Sequence, residues 1–195
     1  MIYGITTLII ACIYCALYCK TRRFCPPFYG KRNACFVRLC VAFGLNCVVY
    51  SLCETTPENS RSWLIFLVNV LACIDIFILK IPTEVLPVCS VLVVYQLIEM
   101  QQPLFLSASA LLFGGVFLLL RKKIGISLYD IWLITLLMMT VSTFGMQIRF
   151  TALFLILWGV IGCGLRIKNK RNLIRIPLVP EILLSYLFVI RFIQP

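Results

Sequence analysis

Residues 62–79 read SWLIFLVNVLACIDIFIL and are followed at once by Lys80. As a helix this stretch rises about 27 Å, close to the ~30 Å hydrocarbon core of a bilayer. Its strongly polar members are Asn69 and Asp75. Outward from it, further apolar runs lie at roughly 2–19, 35–53, 83–99, 103–120, 128–147, 150–165 and 176–193. Turn and loop residues separate them: Cys25-Pro26-Pro27, Thr55 to Ser60, Gln101-Gln102-Pro103, and the basic stretch Arg166 to Arg175. The pattern predicts an all-α, polytopic integral membrane protein of about eight transmembrane helices. The runs 83–99 and 150–165 are the short ones, able to share an end with a neighbour. Two parts follow: a helix pair with a short basic loop at 1–61, and a membrane core at 62–195.

Composition agrees. The chain has 195 residues, 62% hydrophobic and 13% charged, with a mean hydropathy of +1.04. This excludes a soluble domain, a disordered chain and a secreted disulfide scaffold. About eight crossings would use some 160 residues, leaving no room for a separate soluble domain. There is no His, so neither a Ser-His or Cys-His dyad nor an imidazole metal site can form.

Eighteen Lys and Arg against seven Asp and Glu give +11. With the N-terminus outside, the basic residues cluster on the inner side: around Lys20 to Arg38, at Lys80, at Arg121 to Lys123, and from Arg166 to Arg175. Only Arg61, Arg149 and Arg191 fall outside. Lys and Arg of short loops stay cytoplasmic, so the charge reports topology and not nucleic-acid binding. Anionic membrane lipid is its expected partner. The first run lacks a basic start and a small-residue cleavage site, and is read as a retained helix.

Cys12, Cys15 and Cys19 share one face of the first helix, and most of the eleven cysteines lie within or beside apolar runs. In membrane helices Cys packs as a small, soft apolar residue. No Cys-x-x-Cys pair sits in an aqueous segment, so neither metal nor cofactor is expected.

The chain has only two aspartates, and they are its most informative residues. Asp75 lies five residues before Lys80, near the inner end of the third run, and Asp130 lies seven after Lys123, near the inner start of the sixth. Alternating topology places both at similar depth on the same side. Two carboxyls brought close in a low-dielectric pocket share a proton. The ionised one can deprotonate water while the protonated one polarises a carbonyl and then protonates the leaving amine. That is aspartic peptidase chemistry. Helix capping, pairing with Lys80 or Lys123, and a proton or cation path through a small transporter use the same residues, and spacing alone leaves these open.

The segment Asp75-Ile-Phe-Ile-Leu-Lys80-Ile81-Pro82-Thr83-Glu84-Val85-Leu86 resembles the first active-site segment of type IV prepilin peptidases, an Asp followed at fixed spacing by Ile-Pro-x-x-Leu. Ile176-Pro177-Leu178-Val179-Pro180 is similar to the Ile-Pro-x-x-Pro element that opens the family's last helix. The second active-site motif departs: the family carries Gly-x-Gly-Asp where this chain has Ser127-Leu128-Tyr129-Asp130, and Trp132 replaces a lysine. The resemblance spans roughly residues 62 to 193. The cytoplasmic cysteine-rich segment of larger members is missing, so methyltransferase activity is not expected.

The resemblance implies an aspartic endopeptidase with Asp75 and Asp130 as its dyad. It also implies structural roles for Ile81, Pro82, Pro177 and Pro180. Glu84 becomes a candidate to hold a basic leader residue, and Tyr129 a residue that narrows the approach of an extended substrate. An acidic residue in a helix's first turn, favoured by the dipole, explains Glu84 equally well, and Glu181 likewise. Asn69 is read as an interhelical hydrogen-bonding group. The implied substrate is the leader of a prepilin or pseudopilin, cleaved at the cytoplasmic face of a bacterial inner membrane. A non-catalytic protein that binds or assembles pilin-like helices, and a small transporter, are the alternatives.

Overall fold

The computed structural model describes residues 2–22, 32–52, 60–78, 84–168 and 177–192. They form eight helices and, among the described residues, no strand: α1 (Ile2–Arg22), α2 (Arg32–Leu52), α3 (Ser60–Ile78), α4 (Leu86–Glu99), α5 (Leu104–Ile124), α6 (Leu128–Met139), α7 (Phe144–Lys168) and α8 (Val179–Phe192). Three helical stretches, Ser60–Ile78, Leu104–Lys122 and Phe144–Ile161, are long and apolar enough to cross a membrane. Helices α4 and α6 are short, with 14 and 12 residues.

The opening stretch becomes the axis of the bundle. An α-helix that is apolar all round is stable only when enclosed, and α3 is buried on nearly every side from Leu64 to Ile76. It packs against α1, α2, α4 and α8. Helix α8 in turn touches α3, α7, α2 and α6, while α5 lies on α6 and α7. The outward faces are apolar too: Leu104, Leu112 and Leu119 of α5 and Ile156 and Val160 of α7 are exposed. Apolar faces this extensive suit lipid, not water.

Polar groups tie the helices together. Asn69 Nδ2 of α3 donates to Asn46 Oδ1 of α2 at 2.9 Å, and Asn46 Nδ2 donates to the Ala42 carbonyl and to Cys73 Sγ. Asn69 is thus an interhelical hydrogen-bonding group. Thr7 of α1 bonds the Tyr50 hydroxyl of α2 at 2.9 Å. At one end of the bundle Ser60 Oγ, opening α3, donates to Glu99 Oε2, closing α4, at 2.5 Å. Buried Gln147 donates to the carbonyls of Leu106 and Met138 and accepts from Ser109 Oγ, joining α5, α6 and α7.

The apolar run expected at 128–147 is divided. Helix α6 stops at Met139, where Thr140 and Val141 make tight bonds to the Leu137 and Met138 carbonyls. Thr140 Oγ1 also donates to Leu137 O at 2.8 Å. Thr143 then caps α7, its hydroxyl and carbonyl accepting from the N–H groups of Met146 and Gln147. Hydroxyl side chains compete for backbone groups and so favour helix ends. As a result α7 begins at Phe144, earlier than the run at 150–165 suggests, and continues for 25 residues.

Close packing of α5 on α6 depends on Gly114, where an added Cβ would collide with Thr135 Oγ1. That hydroxyl is held by its bond to the Ile131 carbonyl at 2.8 Å and cannot turn away freely. Gly114→Val is therefore expected to destabilise the bundle by about 1–3 kcal/mol, read as a lower melting temperature in detergent. The neighbouring Gly115 faces open space, and Gly115→Ala should not lower the melt and is expected to raise it slightly.

Candidate functional site

Asp75 sits in the last turns of α3 and is only 5% exposed. Its Oδ2 accepts a hydrogen bond from the backbone N–H of Val179, the first residue of α8, at 3.2 Å. The local sequence explains why α8 takes its cap from another helix. Leu178 stands in the capping position, its carbonyl accepting the first intrahelical bond from Ile182 N at 3.0 Å, but an apolar side chain cannot serve the orphan N–H groups of a helix start. Pro180 falls at the second helical position, where its missing N–H leaves nothing to satisfy. The Ile-Pro-x-x-Pro element thus builds a helix start that requires an outside acceptor, and Asp75 provides it.

Asp130 is equally enclosed, at 5% exposed, and is the third residue of α6. It forms a reciprocal capping box with Ser127. Ser127 Oγ accepts from Asp130 N at 3.2 Å, while Asp130 Oδ2 accepts from Ser127 N at 3.0 Å and from Ser127 Oγ at 2.5 Å. Just before it, Gly125 closes α5 in the left-handed conformation, φ 77°, with its N–H bonded to the Arg121 carbonyl at 2.8 Å. The tight α5–α6 turn sets the start of α6 and, with it, the carboxyl.

Helix α8 packs against both α3 and α6, the helices that carry the two aspartates. Glu181, in its first turn, is 4% exposed and lies within electrostatic reach of both Asp75 and Asp130. Its Oε2 has no hydrogen-bond partner among the described residues. Deeper along α8, the fully buried Tyr186 bonds its hydroxyl to Thr140 Oγ1 at 2.6 Å and packs edge-on against Phe150. These contacts fix the helix against α6 and α7. Opposite, Arg38 of α2 donates to the carbonyls of Ile76 and Phe77, directly after Asp75. A guanidinium on the last carbonyls of a helix complements its dipole and pins the end of α3.

The remaining sequence-derived candidates do not join this group. Glu84 is exposed in the turn before α4, and Tyr129 is exposed on α6. Ile81 and Pro82, with Lys80, lie outside the described residues. Pro177 lies just before α8 and Pro180 is its second residue. Among the described residues, no three or more Cys, Asp or Glu are arranged to hold a metal ion.

Three residues of the site have no site role in the sequence reading, which sets Glu181 down to the helix dipole. Ser127 was legible, since Ser-x-x-Asp before an apolar run is a capping signature. Glu181 carried a weaker signal, an acid in the first turn after Pro-x-x-Pro. Arg38 carried none beyond its topological charge. The chain matches no protein-family model, no curated protein and no solved structure. The arrangement places buried carboxyls on three helices: Asp75 on α3, Asp130 on α6 and Glu181 on α8.

Proposed function

We propose that the protein is a membrane-embedded aspartic endopeptidase, Asp75 and Asp130 forming its dyad and the leader of a prepilin- or pseudopilin-like protein its substrate. One carboxylate takes a proton from water, which attacks the scissile carbonyl. The other, protonated, polarises that carbonyl and then delivers its proton to the leaving amine. Neither step calls for His, metal or cofactor. The observation that carries the reading is the convergence at α8: Val179 N–H on Asp75, and Glu181 within reach of both aspartates. The test is cleavage of a synthetic leader peptide by the reconstituted protein and by its Asp75→Asn and Asp130→Asn variants.

The proposed setting is a bacterial inner membrane crossed eight times with the N-terminus outside and the carboxyls near the cytoplasmic face. The clustering of basic residues at alternate helix ends supports it. Reporter fusions after Arg23 and Arg171 are expected to read cytoplasmic, and one after Glu58 external; the opposite pattern would invert the topology.

One observation favours a second reading, a non-catalytic protein that holds pilin-like helices. Both aspartates also serve helix starts, Asp130 in its capping box and Asp75 at Val179. A protein of that kind binds the substrate helix and cuts nothing.

A further inference from the structure

The buried acid group that neither reading employs is Glu181. We propose that Glu181 is the third member of the acidic site, sharing protons with Asp75 and Asp130 so that the three carboxyls load and release protons as one set. The inference deepens the peptidase reading, on whose dyad it rests.

Three observations lead there. Glu181 is 4% exposed and so largely enclosed by protein. Its Oε2 finds no hydrogen-bond donor among the described residues, although buried polar atoms are nearly always paired. Its electrostatic neighbours are Asp75 and Asp130, both of its own sign. A proton is the ligand that fits such a position. It needs no cavity, it converts an acceptor-only oxygen into a donor, and it removes one of three like charges from a low-dielectric site. The three carboxyls are not disposed as a metal-binding group, which disfavours a small cation in the same role.

Charged groups on every helix packed against α8 enter this balance. Asp75 comes from α3 and Asp130 from α6. Arg38 comes from α2, its guanidinium engaged by the Ile76 and Phe77 carbonyls. Helix α7 ends in Arg166 and Lys168, whose side chains lie outside the described residues. Helix α8 packs against both α3 and α6 and carries Glu181 two residues beyond the N–H that Asp75 accepts.

Infrared titration of the full-length protein tests the proposal without relying on cleavage. Carbon-13 labelling of glutamate identifies the protonated Glu181 carboxyl band, and loss of that band in Glu181→Gln confirms the assignment. Asp75→Asn and Asp130→Asn are each expected to move the Glu181 midpoint by about one pH unit or more, a tenfold change in its protonation ratio. If peptide is cleaved, the pH profile of Glu181→Gln should depart from wild type by a similar interval at unchanged KM. A Glu181 titration indifferent to both aspartate substitutions would overturn the proposal, as would a band that follows sodium concentration in place of pH. Coupled titration without cleavage would leave the trio standing and remove the peptidase reading alone.

Discussion

Replacing Asp75 by Asn is expected to lower leader cleavage by about 10²–10⁴-fold, the usual contribution of a positioned acid or base, while the protein still accumulates in the membrane. The structure explains why the two effects separate. An Asn amide oxygen can still accept the Val179 N–H that Asp75 Oδ2 accepts at 3.2 Å, and Asn caps helices about as well as Asp. The start of α8 therefore survives, whereas the amide cannot take a proton from water. Asp75→Leu provides the contrast: it also leaves the Val179 N–H unpaired in a buried site, at a cost of about 1–3 kcal/mol. Unaltered cleavage by Asp75→Asn would remove the mechanism outright. No cleavage by the wild type, with retained binding of a leader-bearing helix, would favour the non-catalytic reading.

The second large effect is expected at Asp130, and here Ser127 distinguishes chemistry from capping. Asp130→Asn should abolish cleavage to the same extent, because a dyad with one acid lacks either its base or its proton donor. Ser127→Ala removes the hydroxyl that accepts from Asp130 N and donates to Asp130 Oδ2. Loss of an N-cap costs about 0.5–2 kcal/mol of stability, and because the Ser127 backbone N–H still reaches Asp130 Oδ2, cleavage should fall by less than about tenfold. Thermal melts and kcat on the same preparations decide the matter. If both variants lost cleavage only in proportion to stability, Asp130 would be a cap and nothing more.

Much of the architecture was legible because membrane helices are written as long apolar runs. Each expected run has a helix in its place, and the run at 62–79 became the buried axis. The break between α6 and α7 was not legible. Thr140, Ser142 and Thr143 sit comfortably in apolar surroundings, so a run of hydropathy passes through them while their hydroxyls end one helix and start the next. The placement of Asp75 near the end of α3 and of Asp130 near the start of α6 followed from where they stand in their apolar runs. What no spacing could supply is which helix stands beside which. Only the packing of α8 against both α3 and α6 revealed Glu181 as a neighbour of the pair. The departure from Gly-x-Gly-Asp, puzzling as a string of letters, acquires a local purpose in the Ser127 cap.

The brevity of α4 and α6 has a consequence for water. These helices touch, and at 14 and 12 residues they reach about 21 and 18 Å, well short of a ~30 Å hydrocarbon layer. In the proposed orientation, thinning of the lipid along that flank is one response that would match them. Hydrolysis buried among greasy chains would otherwise starve for its co-substrate. In the proposed setting, a thinner layer beside Asp130 would shorten the path of water to that carboxyl.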